Sequence, residues 1–460
     1  MQEFDLAVIG SGPGGYRAAV LGRLRGLSIA IIEKGEWGGC CLNRGCIPKK
    51  TWHYSAKLIA AAQDFAQRGI HGKLQADLVQ SWQHQKTVVR SVQDSYIDYM
   101  KRLGITALKG AARFKDAHTL QVERGPSIRA KNTIIATGSY PYVPENLPLS
   151  ENKIITTDEL FNSPPPSGER VAIVGGGVVG AEFAFILKML GKEVVWLTQA
   201  QPLSNSAFSP PALRLLQTAL SRYGIEAKTG ARPLKTEVDN KVTLHFSENE
   251  SLNVDWLLLG TGRLPYTTGL GLTEAGVKVN AEGYIEANEF LQTSIPHIYA
   301  IGDVIHRQMT ANLALADGTA AIANILSPGS VKREDRAVPE LIYSALELGR
   351  VGLNEDQAEE LGLEPAVGFA AFDANPAALG QDDSAGFVRV IADMDNGDFL
   401  GGEVVGSDAG ELIHLLSQAY GRKDGIKNLS GFYNHPARAE EVLNATETLA
   451  AKWGFKEMLW

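Results

Sequence analysis

The sequence predicts an α/β protein with two Rossmann-like dinucleotide-binding domains and a mixed α+β C-terminal region. Three observations predict it. A buried strand runs into a Gly-x-Gly-x-x-Gly turn at Gly10, Gly12 and Gly15. The same turn returns at Gly175, Gly177 and Gly180, a gap-free shift of 165 positions that also lays Gly26 on Gly191 and marks an internal repeat. Between and after these turns, strand-like runs alternate with helical ones, the pattern of layered α/β domains.

Composition sets the outer bounds. The chain has 460 residues, 44% hydrophobic and 21% charged, the profile of a globular protein of two to four domains rather than a disordered or fibrous one. A net charge of -8 with no long basic run gives no electrostatic footprint for nucleic acid or an anionic membrane. The start, Met-Gln-Glu-Phe-Asp, carries acids where an export signal needs a basic segment. The most apolar window, Val171 to Leu187, contains three consecutive glycines and Glu182, so it reads as a strand and a helix rather than a membrane span. The three cysteines, Cys40, Cys41 and Cys46, lie within seven residues. That excludes a secreted disulfide scaffold and points to a reactive pair in a reducing compartment, the cytoplasm being expected.

In chain order, the first strand begins near Asp5. Glycines follow it because the chain must turn tightly, let its backbone approach a pyrophosphate and pack a helix against the strand. Glu33 ends the next apolar run, where an acid can accept a hydrogen bond from a ribose hydroxyl. Then comes Gly38-Gly-Cys-Cys-Leu-Asn-Arg-Gly-Cys-Ile-Pro-Lys-Lys50. A short glycine-containing turn can bring Cys41 and Cys46 within disulfide reach if the backbone is not an unbroken helix. So small a loop adds little chain-entropy stabilisation, which argues for electron traffic over structure. Helices are expected from Lys49 to about Gly69, with Pro48 at the start, and from Ser81 to Leu103. Strands are expected over Arg113–Val122 and Ser127–Ile135. Ala136-Thr-Gly marks a strand exit, and Ser163 to Ser167 is the clearest linker.

The repeat then opens a second nucleotide site. Thr198 stands where Glu33 stood, and no basic residue lies between Lys192 and Arg214, so NAD is favoured and NADP stays open. Tyr299-Ala-Ile-Gly-Asp303 is a short strand whose terminal acid could bind a sugar hydroxyl or cap a turn. Helices over Ala409–Ala419 and Glu440–Ala451 close the chain.

Taken together, these motifs resemble the pyridine nucleotide-disulfide oxidoreductases, most closely the dihydrolipoamide dehydrogenases. The Cys41/Cys46 segment, both glycine turns, Ala136-Thr-Gly-Ser, Gly262-Arg-Leu-Pro and Tyr299-Ala-Ile-Gly-Asp carry the resemblance, with Val404-Val-Gly-Ser-Asp-Ala-Gly-Glu and His435-Pro436 with Glu440. It implies an FAD-binding domain over 1–150 and 273–340, an NAD(P)-binding domain over 151–272 and a dimerisation domain over 341–460. It assigns FAD to Gly10, Gly12, Pro13, Gly14, Gly15, Glu33, Lys34, Gly39, Lys50, Thr137, Gly138 and Asp303. The nicotinamide nucleotide falls to Gly175, Gly177, Val179, Gly180, Thr198 and Gly262. Cys41 would exchange with the substrate while Cys46 faces the flavin, both as thiolates. His435, backed by Glu440, would be the base, acting across a homodimer interface; without the resemblance it would read as a loop histidine. Glu182 needs a partner if buried, and the family supplies a lysine, here Lys50 in preference to Lys49. No metal site is expected.

The implied reaction passes two electrons between a dithiol, such as a lipoyl-bearing protein, and NAD. Lys49-Lys50 in place of Ser-Lys keeps open a reductase for glutathione or another small disulfide. Mercuric reductase is disfavoured, since no C-terminal cysteine pair exists, and a non-catalytic flavin-binding regulator is the reading from another class. Cys40 stands where the family often has Thr and is expected to be a packed thiol rather than a third redox group. Arg44, in place of a usual valine, could draw in an anionic substrate or point to solvent.

Overall fold

The computed structural model describes residues 1–306, 308–333, 337–422 and 424–453. They fall into two compact units. The first comprises Met1–Gly180, Ile186–Gln199 and Lys228–Asp335; the second comprises Ala181–Phe185, Ala200–Ala227 and Arg336–Trp460.

Two sheets organise the first unit. In one, β1 (Gln2–Ile9), β2 (Ile29–Glu33), β3 (Thr106–Lys109), β4 (Ala112–Phe114), β5 (Thr119–Val122) and β6 (Ser127–Ile135) lie in the order β3-β2-β1-β6-β5-β4, and strand Ile298–Ala300 also pairs with β6. Pairing is parallel from β3 to β6 and antiparallel through β5 and β4. β1 shows why its sequence is an apolar run rather than an alternation. Leu6 and Val8 pack with Ala18 and Ala19 of helix α1 (Pro13–Leu24), while Ala7 and Ile9 pack with Phe114 and Leu120. A parallel strand covered on both faces must be apolar on both. Helix Ala311–Leu326 packs against α1 through glycine: a Cβ on Gly318 would lie 2.4 Å from the Gly14 carbonyl oxygen.

The redox segment forms two helices, α2 (Gly39–Arg44) and α3 (Cys46–Ala62), followed by a 3-10 turn over Phe65–Arg68. α3 therefore starts earlier and ends earlier than its sequence suggests. Gly45 breaks the path, and Pro48 falls in the first turn, where a missing N–H costs nothing. α4 (Leu78–Arg102) begins before Ser81 because the Asp77 carboxylate accepts from the Gln80 amide at 2.9 Å. The second sheet runs β10-β9-β8-β11-β7, built from β7 (Ile154–Thr156), β8 (Arg170–Val174), β9 (Glu193–Leu197), β10 (Ala227–Lys228) and β11 (Trp256–Leu259). α5 (Thr157–Asn162) follows β7 behind a capping box of Thr156 and Glu159, and α6 (Val178–Met189) follows β8. The Ser163–Ser167 stretch has no regular structure, yet Pro165 and Pro166 are buried.

The second unit is built on an antiparallel sheet, β12-β13-β16-β15-β14, from β12 (Glu340–Tyr343), β13 (Glu347–Gly352), β14 (Pro365–Ala371), β15 (Phe387–Asp393) and β16 (Phe399–Val405). Helices α7 (Ala409–Ala419) and α8 (Glu440–Trp453) contribute Ile413, Leu416, Val442 and Leu449 to its core. The sequence read α7 to the residue and α8 to within its last turn. α8 packs on β14 at a glycine: a Cβ on Gly368 would lie 2.1 Å from the Ala445 carbonyl oxygen. Gly368→Ala should therefore force the helix off the sheet, costing about 1–3 kcal/mol, read as a lower midpoint of urea unfolding; an unchanged midpoint would show that this contact yields freely.

Candidate functional site

Cys41 and Cys46 are joined in a disulfide with their Cα atoms 4.7 Å apart. Cys41 lies within α2 and Cys46 is the first residue of α3, so the bridge spans the break at Gly45 (φ -134°, ψ -110°). The helix start thus falls on Cys46 itself, not at Pro48. Its sulfur sits at the N-terminus of a 17-residue helix, where the helix dipole favours a thiolate.

The pair is held against the first nucleotide loop by backbone. Gly39, with φ +64°, comes so close that a Cβ there would lie 2.6 Å from the Gly12 Cα. The Gly38 amide donates to Ser11 Oγ at 3.0 Å. Ser11 in turn donates from its amide and Oγ to Glu33 Oε2, at 2.9 and 2.7 Å, and the Gly35 amide donates to Glu33 Oε1 at 2.7 Å. Glu33 is therefore a brace of the loop as well as the acid at the strand end. Sequence reading saw only the second role.

Around the same loop, Gly10 has φ +102°, and a Cβ on it would strike the Ala136 carbonyl oxygen at 2.3 Å; one on Gly15 would lie 2.0 Å from the Gly10 carbonyl oxygen. Pro13 opens α1 and Gly14 backs it against helix Ala311–Leu326. Lys34 lies 3.2 Å from the centre of the Tyr266 ring, and Tyr266 is fixed by Thr137 Oγ1 on its carbonyl (2.7 Å) and by its amide on the Gly138 carbonyl (2.8 Å). Asp303 lies within a 3-10 turn and accepts from Ser139 Oγ at 2.6 Å. The preceding Gly302 amide is held by the fully buried Asp317 at 3.0 Å, a residue that no motif had marked.

The second loop repeats the geometry. A Cβ on Gly175 would lie 2.2 Å from the Gly260 carbonyl oxygen, and one on Gly180 would lie 2.0 Å from the Gly175 carbonyl oxygen, with Val179 packed over Gly260. At Gly12 and Gly177 an added Cβ would meet nothing within 4 Å. Both loops thus present a cradle that a side chain would fill, which fits a pyrophosphate on each. Thr198 is 1% exposed, and its Oγ1 finds no hydrogen-bond partner among the described residues. Its amide donates to the Lys228 carbonyl (3.0 Å) and its carbonyl accepts from Ala231 (3.0 Å). This pairing carries the Lys228 backbone beside the strand end, a neighbour invisible to a reading of the residues that follow Thr198. Gly262, with φ +111°, precedes Arg263.

Arg44 is partly buried and turned to a carboxylate of its own chain. Its Nε lies 3.2 Å from Asp158 Oδ2, and Arg263 Nη1 lies 3.8 Å from Asp158 Oδ1. Burial pushes the Asp158 carboxyl up, against the pull of Arg44 and Arg263. Burial likewise raises the Cys40 thiol, with Arg263 and Arg44 opposing it, which favours the protonated form.

Within the second unit, His435 Nδ1 lies 2.8 Å from Glu440 Oε1, and the Ala437 amide donates to Glu440 Oε2 at 2.8 Å. The imidazole is 73% exposed, and the His435–Pro436 peptide is cis. Glu182, buried in α6, accepts from the Tyr343 amide at 2.9 Å. Lys49 and Lys50 lie in the first turns of α3. Among the described residues no cluster could hold a metal ion, and no helix is long and apolar enough to cross a membrane.

Comparison with known proteins agrees with this geometry. The model of the pyridine nucleotide-disulphide oxidoreductases matches residues 4–318, and that of the dimerisation domain of the same family matches residues 338–446. Dihydrolipoyl dehydrogenase of Thermus scotoductus is 34% identical, covering 98% of both chains. Glutathione reductase of Burkholderia cepacia is 31% identical, covering 96% of this chain and 98% of its own. Among solved structures, the HOCl-induced flavoprotein disulfide reductase RclA of Escherichia coli superposes with a TM-score of 0.83 at 26% identity, over 96% of this chain and 99% of its own.

The Ala437 amide, and after it His435, hold the Glu440 carboxyl below the usual glutamate range. A depressed carboxyl stabilises its loop fully above the unfolded value near ~4.3, and that contribution is lost as pH falls through the lower folded value. Carboxyl carbon NMR should accordingly place the Glu440 midpoint below that of free glutamate; a midpoint at or above it would contradict the assignment.

Proposed function

This chain belongs to the pyridine nucleotide-disulphide oxidoreductase family, and on that premise we propose that it oxidises a protein-bound dihydrolipoamide with NAD as acceptor. The observation that carries the reading is the Cys41–Cys46 bridge at the start of α3, its Gly39 backbone against Gly12 of the first nucleotide loop. Family members bind FAD and NAD(P). In this proposal FAD lies along Gly10–Gly15, Glu33, Lys34, Gly39, Thr137, Gly138 and Asp303, within a domain of 1–150 and 273–340. The nicotinamide nucleotide takes Gly175, Gly177, Val179, Gly180, Thr198 and Gly262 within 151–272. Residues 341–460 form the homodimer interface, in line with the match to a dimerisation domain. A reducing compartment such as the cytoplasm suits a pair that must cycle.

The chain's own residues account for the thiol chemistry. Acting across the homodimer interface, His435 keeps Nδ1 on Glu440 and takes a substrate thiol proton at Nε2. The thiolate attacks Cys41 Sγ, and the Cys41–Cys46 bond breaks with Cys46 leaving as a thiolate at the helix N-terminus. The second substrate thiol then displaces Cys41, its proton passing to the departing Cys41 sulfur, so the substrate leaves as a disulfide and two electrons stay on the enzyme's pair. When bound, the flavin supplies the two-electron step between that pair and the nicotinamide. Lys50 and Glu182 are assigned to the flavin's surroundings by the family resemblance. A second reading, reduction of a small disulfide such as glutathione by NADPH, is favoured by Lys49-Lys50 and by Lys228 beside Thr198.

Steady-state turnover decides between the readings: dihydrolipoamide with NAD should exceed glutathione disulfide with NADPH, and the reverse order would replace the first with the second. His435→Ala should lower kcat about 10²–10⁴-fold with either pair; a loss under tenfold would remove His435 from the base role.

A further inference from the structure

We propose that Arg44 is a positioning residue for the disulfide step: through Asp158 and Arg263 it tethers the α2 side of the redox pair, so that the two opened thiols stay within reach of each other. The argument starts from Gly45. When the bridge is open, the only covalent path between Cys41 and Cys46 runs through this glycine, which has no side chain to restrain it. A Cβ there would sit 3.3 Å from both the Cys40 carbonyl oxygen and the Cys41 Cα, so a side chain could not easily be added to stiffen it. The restraint has to come from the flanking residues.

The N-terminal end of α2 is held by the Gly38–Ser11 bond and by Asn43, whose Nδ2 donates to the Trp37 carbonyl at 3.0 Å and the Gly39 carbonyl at 2.8 Å. Its C-terminal end is held by Arg44. Asp158 is a firm anchor, because it lies in α5 behind the Thr156 capping box and its own amide donates to Thr156 Oγ1. Arg263 is firm too: its Nε and Nη2 donate to Ser139 Oγ and the Ser139 carbonyl at 2.8 and 3.0 Å. Ser139 Oγ donates onward to Asp303. Two ion pairs, Arg44–Asp158 and Asp158–Arg263, followed by two hydrogen bonds, Arg263–Ser139 and Ser139–Asp303, thus lead from the residue beside the hinge to the acid after strand Ile298–Ala300.

Charge balance says how these contacts act. Two arginines face two aspartates, so the field of Arg44 at the neighbouring sulfurs is largely cancelled by Asp158. What remains is geometry. Closing a disulfide from two thiols depends on their effective concentration, and a tether that limits excursions about Gly45 raises it.

The test is the thiol–disulfide equilibrium of the FAD-loaded full chain in a dithiothreitol redox buffer, with thiols trapped by alkylation and counted by mass spectrometry. Arg44→Val and Asp158→Asn should both shift the pair toward the dithiol, by about three- to tenfold, tenfold being about 30 mV for a two-electron couple. Arg44→Lys, which keeps the cation, should stay within about twofold of the parent. If Arg44 acted by its charge, Arg44→Val would instead favour the bridge and Asp158→Asn the dithiol. That opposite pattern, or no shift beyond about twofold in Arg44→Val, overturns the proposal. Should Asp158→Asn fail to load FAD, the sign of the Arg44→Val shift alone separates tether from charge.

Discussion

A helix interrupted by one residue is the constraint on which the chemistry rests. Five residues along an unbroken helix advance about 7.5 Å, beyond what a disulfide tolerates. Gly45 turns that path back on itself and brings the Cys41 and Cys46 Cα atoms to 4.7 Å. The same break starts a new helix at Cys46, so one glycine both permits the bridge and sets a helix dipole on the sulfur that must leave as a thiolate. The remaining structure fixes where this break sits. Gly39 abuts Gly12, Ser11 and Glu33 brace the loop behind it, and Arg44 reaches Asp158.

Charges beside α2 are arranged in a balanced set. Arg44 and Arg263 face Asp158 and, through Ser139, Asp303. Burying a carboxylate such as Asp158 is costly, and its raised proton affinity shows that burial outweighs the two guanidiniums. A stability argument alone would not place it there. Its value lies in the contacts it fixes on either side, which join α2, α5 and the Gly262-Arg263 turn.

Much of this was legible in the sequence where a local pattern carries it. The glycine turns follow from a strand that must approach a phosphate, and each glycine that the pattern demanded is one where a Cβ would collide or narrow a cradle. The ends of α7 and β6 were read from apolar periodicity. What escaped were contacts between residues far apart in the chain. Asp158 is unremarkable in its own segment, Arg263 stands in a motif that says nothing of its partner, and only the fold brings both to Arg44. Lys228 reaches Thr198 through strand pairing, which no count of neighbouring residues reveals. α3 starts ahead of the proline that marks a helix start in the sequence, because a first-turn proline leaves room for Cys46 and Ile47 before it.

The Gly39–Gly12 approach has a further meaning for how such a chain can change. Both partners are already the smallest residue available, so neither can shrink to accommodate growth in the other. The distance from sulfur segment to phosphate loop is consequently inherited as a single indivisible measurement. Diversification is left to the side chains projecting from that rigid seam, which is where this chain carries its own choices: a thiol at Cys40, a guanidinium at Arg44 and an amine at Lys49.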